Sequence, residues 1–84
     1  MKLIFADEAW EDYLYWQKQD GRMVERINKL IKETKREPFT GLGKPEALKH
    51  ALSGFWSRRI TDEHRMVYRL EGGVLVIAQL RFHY

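Results

Sequence analysis

The chain is short, basic and free of cysteine. It has 84 residues, of which 44% are hydrophobic, and a formal net charge of +3. A chain of this length buries only about 60–65% of its unfolded surface, which leaves room for one small core. The lack of cysteine excludes a disulfide scaffold, thiolate zinc sites and a cysteine nucleophile. The longest apolar run, residues 74–78, is far shorter than the roughly 20 residues of a membrane span. No basic-then-apolar leader opens the chain, so we expect a soluble cytoplasmic protein.

Charge is unevenly distributed along the chain. Residues 1–20 carry a net charge of −3, residues 21–69 carry +6, and the remaining residues balance. The positive region favours a polyanionic partner such as a nucleic acid. Ordinary solubilising surface charge explains the same excess without a partner, so composition alone leaves both interpretations open.

The first half of the chain predicts a strand and two helices. Residues 2–6 read as a short strand, and Asp7 is expected to cap the first helix. Helical spacing places Trp10, Tyr13 and Leu14 on an inward stripe, and Asp20-Gly21 ends the helix. A second helix is expected to run to Pro38. Its apolar face would consist of Met23, Ile27, Leu30, Ile31 and Thr34.

The second half predicts a loop followed by strands. Residues 38–54 read as a loop with one helical turn at 45–49. Three strands are expected at 55–61, 65–70 and 74–82, with hairpins at Asp62-Glu63 and Gly72-Gly73. The predicted fold class is α+β, with an N-terminal strand, two helices packed on one face of the sheet, and an antiparallel three-stranded meander.

The predicted strands are unusually rich in arginine, and no lysine follows Lys49. Strands prefer β-branched and aromatic residues, and like charges facing each other across strands repel. Guanidinium groups bind phosphate through paired hydrogen bonds, so the pattern indicates a phosphate-binding sheet face. Alternatively, some of these side chains cover apolar surface or pair with nearby acids. The arginines are Arg58, Arg59, Arg65, Arg69 and Arg81.

Glu46 and His83 are candidates for acid–base chemistry. Glu46 lies in a basic, glycine-containing loop, and His83 is the penultimate residue. A carboxylate and an imidazole beside a phosphate site could serve as a proton acceptor and a proton donor. The alternatives are a glutamate that complements a helix dipole and a terminal histidine without function. The three histidines match no metal-ligand spacing, so we expect no metal and no cofactor.

Several motifs together identify a family resemblance. They are Gly-Lys-Pro-Glu at 43–46, Leu-Lys-His at 48–50, Leu-Ser-Gly-Phe-Trp-Ser-Arg-Arg-Ile at 52–60, His-Arg-Met-Val-Tyr at 64–68, Trp-Glu-Asp-Tyr-Leu-Tyr-Trp at 10–16 and His-Tyr at 83–84. The chain resembles the YoeB toxins of the RelE/ParE superfamily of bacterial toxin–antitoxin proteins. The resemblance covers residues 1–84, which would form a single toxin domain.

The resemblance implies a microbial-RNase-like fold and a ribosome-dependent endoribonuclease that cuts messenger RNA in the ribosomal A site. Glu46 would be the general base that takes the 2′-hydroxyl proton, and His83 the general acid that protonates the leaving 5′-oxygen. Arg65 would stabilise charge on the phosphate, and Tyr84 would orient the substrate. Further substrate contacts would come from Lys49, Arg59 and Arg81.

The resemblance also implies partners. These are a YefM-type antitoxin with a segment that folds on binding, and the 70S ribosome with its messenger RNA. Operator DNA would be contacted only through the antitoxin, and no membrane is involved. The sequence leaves open whether the toxin forms a homodimer. Two other functions stay open: a non-catalytic gyrase inhibitor like the ParE branch, and a plain RNA-binding module.

The sheet register tests this interpretation. A strict two-residue loop at Gly72-Gly73 would pair Glu71 with Val74 and place Arg65 and His83 on opposite faces. We therefore predict loops or bulges that shift both hairpin registers by one residue. At the second hairpin, a three-residue loop would pair Leu70 with Val74.

Overall fold

The protein, described here by a computed structural model over residues 1–82, has two helices against a five-stranded mixed sheet. The elements are β1 (Lys2–Phe5), α1 (Asp7–Gln19), α2 (Gly21–Arg36), β2 (Glu46–Ala47), a 3-10 turn (His50–Leu52), β3 (Trp56–Arg59), β4 (Arg65–Glu71) and β5 (Val74–Gln79). The strand order is β1-β5-β4-β3-β2, and only β1 and β5, among these described strands, pair in parallel. The α+β class is confirmed. The antiparallel meander is present, but β1 and β2 extend it on its two sides.

One aspartate joins the two helices. The backbone N–H of Asp20 donates to the carbonyl of Trp16 at 2.8 Å, which closes α1. The Oδ1 atom of Asp20 accepts the N–H of Arg22 at 3.0 Å, which caps α2. The cap predicted at Asp7 is wrong, because Ala6 precedes α1 and Asp7 is its first residue. As an acid in the first turn, Asp7 still lies at the positive end of the helix dipole.

The inward faces of the helices confirm one prediction and correct another. All five residues of the α2 stripe are buried, from Met23 to Thr34. In α1 the predicted stripe is wrong for Trp10 and Leu14, which are 48% and 38% exposed, whereas Tyr13 packs partly buried against the core. Ala9 and Trp16 are the buried residues of this helix. The indole Nε1 of Trp16 donates to the carbonyl of Leu80 at 2.9 Å. This contact with the end of the sheet turns the Trp16 side of α1 inward.

The helices cover one face of the sheet. The buried core consists of Ala9, Trp16, Met23, Ile27, Leu30, Ile31, Ile60, Met66, Tyr68, Leu75, Ile77 and Leu80. Because side chains alternate along a strand, the residues between the buried sheet positions point to the other side. We call this side the helix-free face. It carries Glu46, Ser57, Arg59, Arg65, Val67, Arg69, Val74 and Val76.

The segment around Glu46 is extended, and the predicted helical turn at 45–49 is wrong. Glu46 and Ala47 form β2, which pairs with Ser57 and Trp56 of β3. The N–H of Arg59 donates to the carbonyl of Gly43 at 2.7 Å, so the chain already runs beside β3 before β2 begins. The helical turn lies directly after the predicted residues, at His50–Leu52, and is of the 3-10 type. Neither described helix is both long and apolar enough to span a membrane.

Candidate active site on the helix-free face

The first hairpin brings two arginines together. Arg59 pairs directly with Arg65, one register step away from what a two-residue loop would produce. The wider loop is closed by the N–H groups of Ile60 and Thr61, which both donate to the carbonyl of His64, at 3.0 and 3.2 Å. The predicted register shift is confirmed here. Two like charges at directly opposed positions oppose folding, which makes an anionic ligand between them favourable.

The second hairpin reaches the predicted shift by another route. Glu71 pairs with Val74, so the three-residue loop predicted at the glycines is wrong. Further along, Tyr68 pairs with Ile77 but Val67 pairs with Gln79, which leaves Ala78 as a β-bulge. The bulge changes the parity of the remaining β5 residues relative to β4. Gln79 therefore lies on the helix-free face, in line with Val67.

Two rows of side chains cross the helix-free face. The first row runs Glu46, Ser57, Val67 and Gln79, and the second pairs Arg59 with Arg65. Strands lie about 4.8 Å apart and rise about 3.3 Å per residue, so the Cα atoms of Glu46 and Arg59 are about 8 Å apart. The same spacings put Glu46 and Arg65 about 12 Å apart. These distances let one carboxylate and two guanidinium groups reach a single phosphodiester.

Glu46 is exposed at the end of its row. Within residues 1–82, its carboxylate makes no hydrogen bond or ion pair, so it is available to an incoming hydroxyl group. Lys49 is also exposed and directly precedes the 3-10 turn, with its carbonyl accepting the N–H of Leu52 at 3.1 Å. The structure thus places Lys49 near the Glu46 end of the sheet.

Arg65 is held in place by its own hairpin. Its Nη1 donates to the carbonyls of Thr61 and Asp62, at 2.7 and 2.8 Å, and more distantly to that of His64, at 3.3 Å. Within residues 1–82, all side-chain hydrogen bonds of Arg65 leave from Nη1. The Nη2 and Nε donors are left to bind a phosphate oxygen pair, with the guanidinium already oriented.

The predicted five-arginine phosphate face is wrong for Arg58, whereas Arg69 and Arg81 make other contacts in the structure. Arg58 lies on the core side and is fully buried. Arg69 pairs with Glu71 at 2.8 Å and lies over the Phe55 ring. The guanidinium of Arg81 stacks 3.6 Å from the centre of the Tyr15 ring of α1. The alternative of arginines that cover apolar surface or pair with acids applies to Arg69 and Arg81. A substrate contact by Arg81 stays a prediction.

Arg58 organises the loop that leads to β2. Its guanidinium donates to the carbonyls of Glu37, of Thr40 at 2.9 Å and of Leu42 at 2.8 Å. Its Nε donates to the hydroxyl of Tyr68 at 3.3 Å. Burial raises the pKa of the Tyr68 hydroxyl, although the Arg58 charge opposes this. Sequence reasoning missed this role because adjacent arginines look alike, whereas only one of them faces the core.

His64 is a second feature that sequence reasoning missed. Its Nδ1 accepts the backbone N–H of Phe82 at 2.7 Å, across 18 residues of sequence. No local pattern signals such a contact. The remaining predicted site residues, His83 and Tyr84, lie outside the described residues, and their assignments stay predictions.

Fold and face together define a small basic α+β domain with an exposed carboxylate and two opposed arginines on one side of its sheet. A family model described as a YoeB-like toxin of bacterial type II toxin–antitoxin systems matches residues 5–84. The chain is 63% identical to Toxin YoeB of Escherichia coli K12 over 84 residues, with 100% of both chains covered.

Two solved structures extend the likeness. The YoeB/ParE toxin of Agrobacterium tumefaciens has a TM-score of 0.98 and 57% identity, with both chains fully covered. The YoeB chain in a heterotetrameric YoeB–YefM complex of Staphylococcus aureus has a TM-score of 0.92 and 44% identity over 100% of this chain and 98% of that one. The chain therefore belongs to the YoeB family of toxins of type II toxin–antitoxin systems.

Proposed function

We propose that this toxin is a ribosome-dependent endoribonuclease that cleaves messenger RNA in the A site. The observation that supports it is the placement of Glu46 beside Arg59 and Arg65 on the helix-free face. A phosphodiester bound there would meet a proton acceptor and two cations. The ribosome would supply part of the substrate orientation that the reaction needs.

In the proposed reaction, Glu46 takes the proton of the RNA 2′-hydroxyl as its oxygen attacks the adjacent phosphorus. Arg65, assisted by Arg59 and Lys49, stabilises the negative charge that develops on the phosphate. His83 protonates the 5′-oxygen as the phosphorus–oxygen bond breaks, and Tyr84 orients the substrate. The products are a 2′,3′-cyclic phosphate, or the 3′-phosphate after its hydrolysis, and a 5′-hydroxyl end.

We propose a YefM-type antitoxin as the partner that restrains this activity in the cytoplasm. YoeB of Staphylococcus aureus has been solved both with YefM and as a dimer. The exposed face of α2 is basic, with Arg22, Lys29, Lys32, Lys35 and Arg36, and suits an acidic antitoxin segment. Self-association into a dimer is proposed on the same comparison. Operator DNA would be reached only through the antitoxin.

The test is cleavage of a defined messenger RNA on programmed ribosomes by Glu46→Gln, His83→Gln and the control Glu11→Gln. Glu11 is an exposed acid of α1 and is not among the proposed site residues. Removal of a general acid or base lowers such rates about 10²–10⁴-fold, so the first two variants should be inactive and the control fully active. End mapping should show the cyclic or 3′-phosphate.

Full cleavage by both site variants would overturn the proposal. DNA damage that precedes any loss of translation in toxin-producing cells would favour a gyrase inhibitor instead. Salt-sensitive RNA binding without strand scission would favour a plain RNA-binding module.

A further inference from the structure

Phe82, the residue before His83, has an unusual and tightly held backbone. Its φ of +60° lies in the left-handed region, which costs energy for a residue with a side chain. Its N–H donates to Nδ1 of His64 at 2.7 Å, and its carbonyl accepts the N–H of Arg65 at 3.1 Å. Two consecutive residues at the start of β4 therefore hold both peptide groups of Phe82.

The preceding residues are also anchored. The carbonyl of Leu80 accepts from the Trp16 indole at 2.9 Å, and its N–H donates to Oδ2 of Asp12 at 3.0 Å. The carbonyl of Arg81 accepts from Nε2 of Gln79 at 2.8 Å. Beyond the end of β5, hydrogen bonds thus hold the backbone at every residue from Leu80 to Phe82. At Phe82, His64 holds the N–H and the backbone N–H of Arg65 holds the carbonyl.

His64 is itself held in one orientation. Its backbone N–H donates to the Thr61 hydroxyl at 3.1 Å, and its imidazole ring meets the Trp16 ring edge-on with centroids 4.9 Å apart. A ring nitrogen that accepts a hydrogen bond carries no proton, so the proton of neutral His64 lies on Nε2. The imidazole thus acts as a fixed acceptor for the backbone. Nothing in this geometry requires His64 to touch the substrate.

We infer that His64 is a positioning residue for RNA cleavage. By holding the N–H of Phe82, while the backbone N–H of Arg65 holds its carbonyl, His64 fixes the strained backbone from which the chain continues to the proposed general acid. The next residue, Arg65, carries the guanidinium group that is proposed to bind the phosphate. Residues 64–65 would therefore align both the proposed general acid and the phosphate. This inference rests on the proposed function, because it presumes that the residue after Phe82 acts on the leaving oxygen.

The test compares His64→Phe with His64→Asn. Phenylalanine keeps an aromatic ring against Trp16 but has no acceptor, whereas asparagine can present Oδ1 near the position of Nδ1. A displacement of about 1 Å at a reacting group can cost about 10²-fold, so His64→Phe should lose kcat to that extent while KM for programmed ribosomes stays unchanged. His64→Asn should recover most of the lost kcat.

Amide hydrogen exchange of Phe82, measured by NMR on the free toxin, provides a readout that needs no cleavage. Exchange should accelerate in His64→Phe and be largely restored in His64→Asn. If wild-type toxin cleaves nothing while this exchange pattern holds, the proposed function fails and the backbone contact stands. Wild-type kcat in His64→Phe, or unchanged Phe82 exchange, would overturn the inference. If His64→Phe does not fold, the ¹⁵N chemical shifts of the wild-type His64 imidazole provide the test. A proton on Nδ1 of the neutral ring would refute the hydrogen bond from the Phe82 N–H.

Discussion

Arg58 and Arg59 are adjacent in sequence, and their replacement by methionine should have opposite consequences. Arg58 is fully buried and donates to three backbone carbonyls and one hydroxyl. Arg59 is exposed on the helix-free face. Methionine preserves most of the apolar stem at either position, so the comparison isolates the guanidinium group.

The size of the Arg58→Met effect follows from the hydrogen bonds that it removes. Each bond from a charged donor contributes about 1.5–3 kcal/mol, but the four act together, and carbonyls of a surface loop recover some bonds to water. Each buried acceptor left without a donor costs about 1–3 kcal/mol, so with part of the loss recovered from water we expect about 3–5 kcal/mol in total. For a domain of this size, that loss lowers Tm by roughly 15–30 °C. Because three of the acceptors are backbone carbonyls, no second mutation can remove them.

Thermal and urea unfolding of Arg58→Met, Arg58→Lys and Arg59→Met would measure this. Lysine keeps one cationic donor and should be intermediate. Arg59→Met should change stability by less than about 0.5 kcal/mol, as surface substitutions usually do, while lowering RNA cleavage. Equal melting temperatures for Arg58→Met and Arg59→Met would refute the assignment of Arg58 to the loop.

Three further outcomes are expected. Gly43→Ala should destabilise the protein by about 1–3 kcal/mol, because φ is +85° and the new Cβ would lie 2.9 Å from the Leu30 side chain and 3.1 Å from the Arg59 carbonyl. Gly21→Ala, in a helix and with free space around the new Cβ, should instead stabilise it by about 0.4–1 kcal/mol. Chemical denaturation of the two variants measures both effects. Burial raises the pKa of Tyr68, so its contribution to stability is full below the ordinary value of 10.0 and is lost as pH rises through the raised pKa. Tyr68→Phe should therefore be about 1–2 kcal/mol less stable than wild type at pH 7. If the difference in unfolding free energy between the two proteins stayed constant above pH 10.0, this reasoning would be contradicted. Arg65→Lys should cut cleavage by about 10²-fold while unfolding changes by less than about 1 kcal/mol, because lysine replaces a planar pair of donors with a single point charge; retention of wild-type cleavage would argue against phosphate binding at Arg65.

Local patterns were sufficient where one segment carries its own signal. The buried stripe of α2 was predicted completely, because a 3.6-residue period is visible within the helix itself. The glycines at 72–73 marked the second hairpin correctly. In α1, aromatic residues occur on several sides, so the choice between Trp10 and Trp16 depended on which of them the end of β5 would contact.

The amino-acid order alone is enough to specify the α+β class, the second helix, the hairpins and the motifs of the YoeB family. Strand alternation also shows that Arg58 and Arg59 must face opposite sides, but it cannot say which side is buried. That choice depends on where the helices pack and on the β3–β4 register, which pairs Arg58 with Met66 and Arg59 with Arg65. The contact of His64 with Phe82 likewise exists only once β4 and the end of β5 are side by side. Such long-range pairings leave no local trace, because they depend on the packing of segments that are distant along the chain.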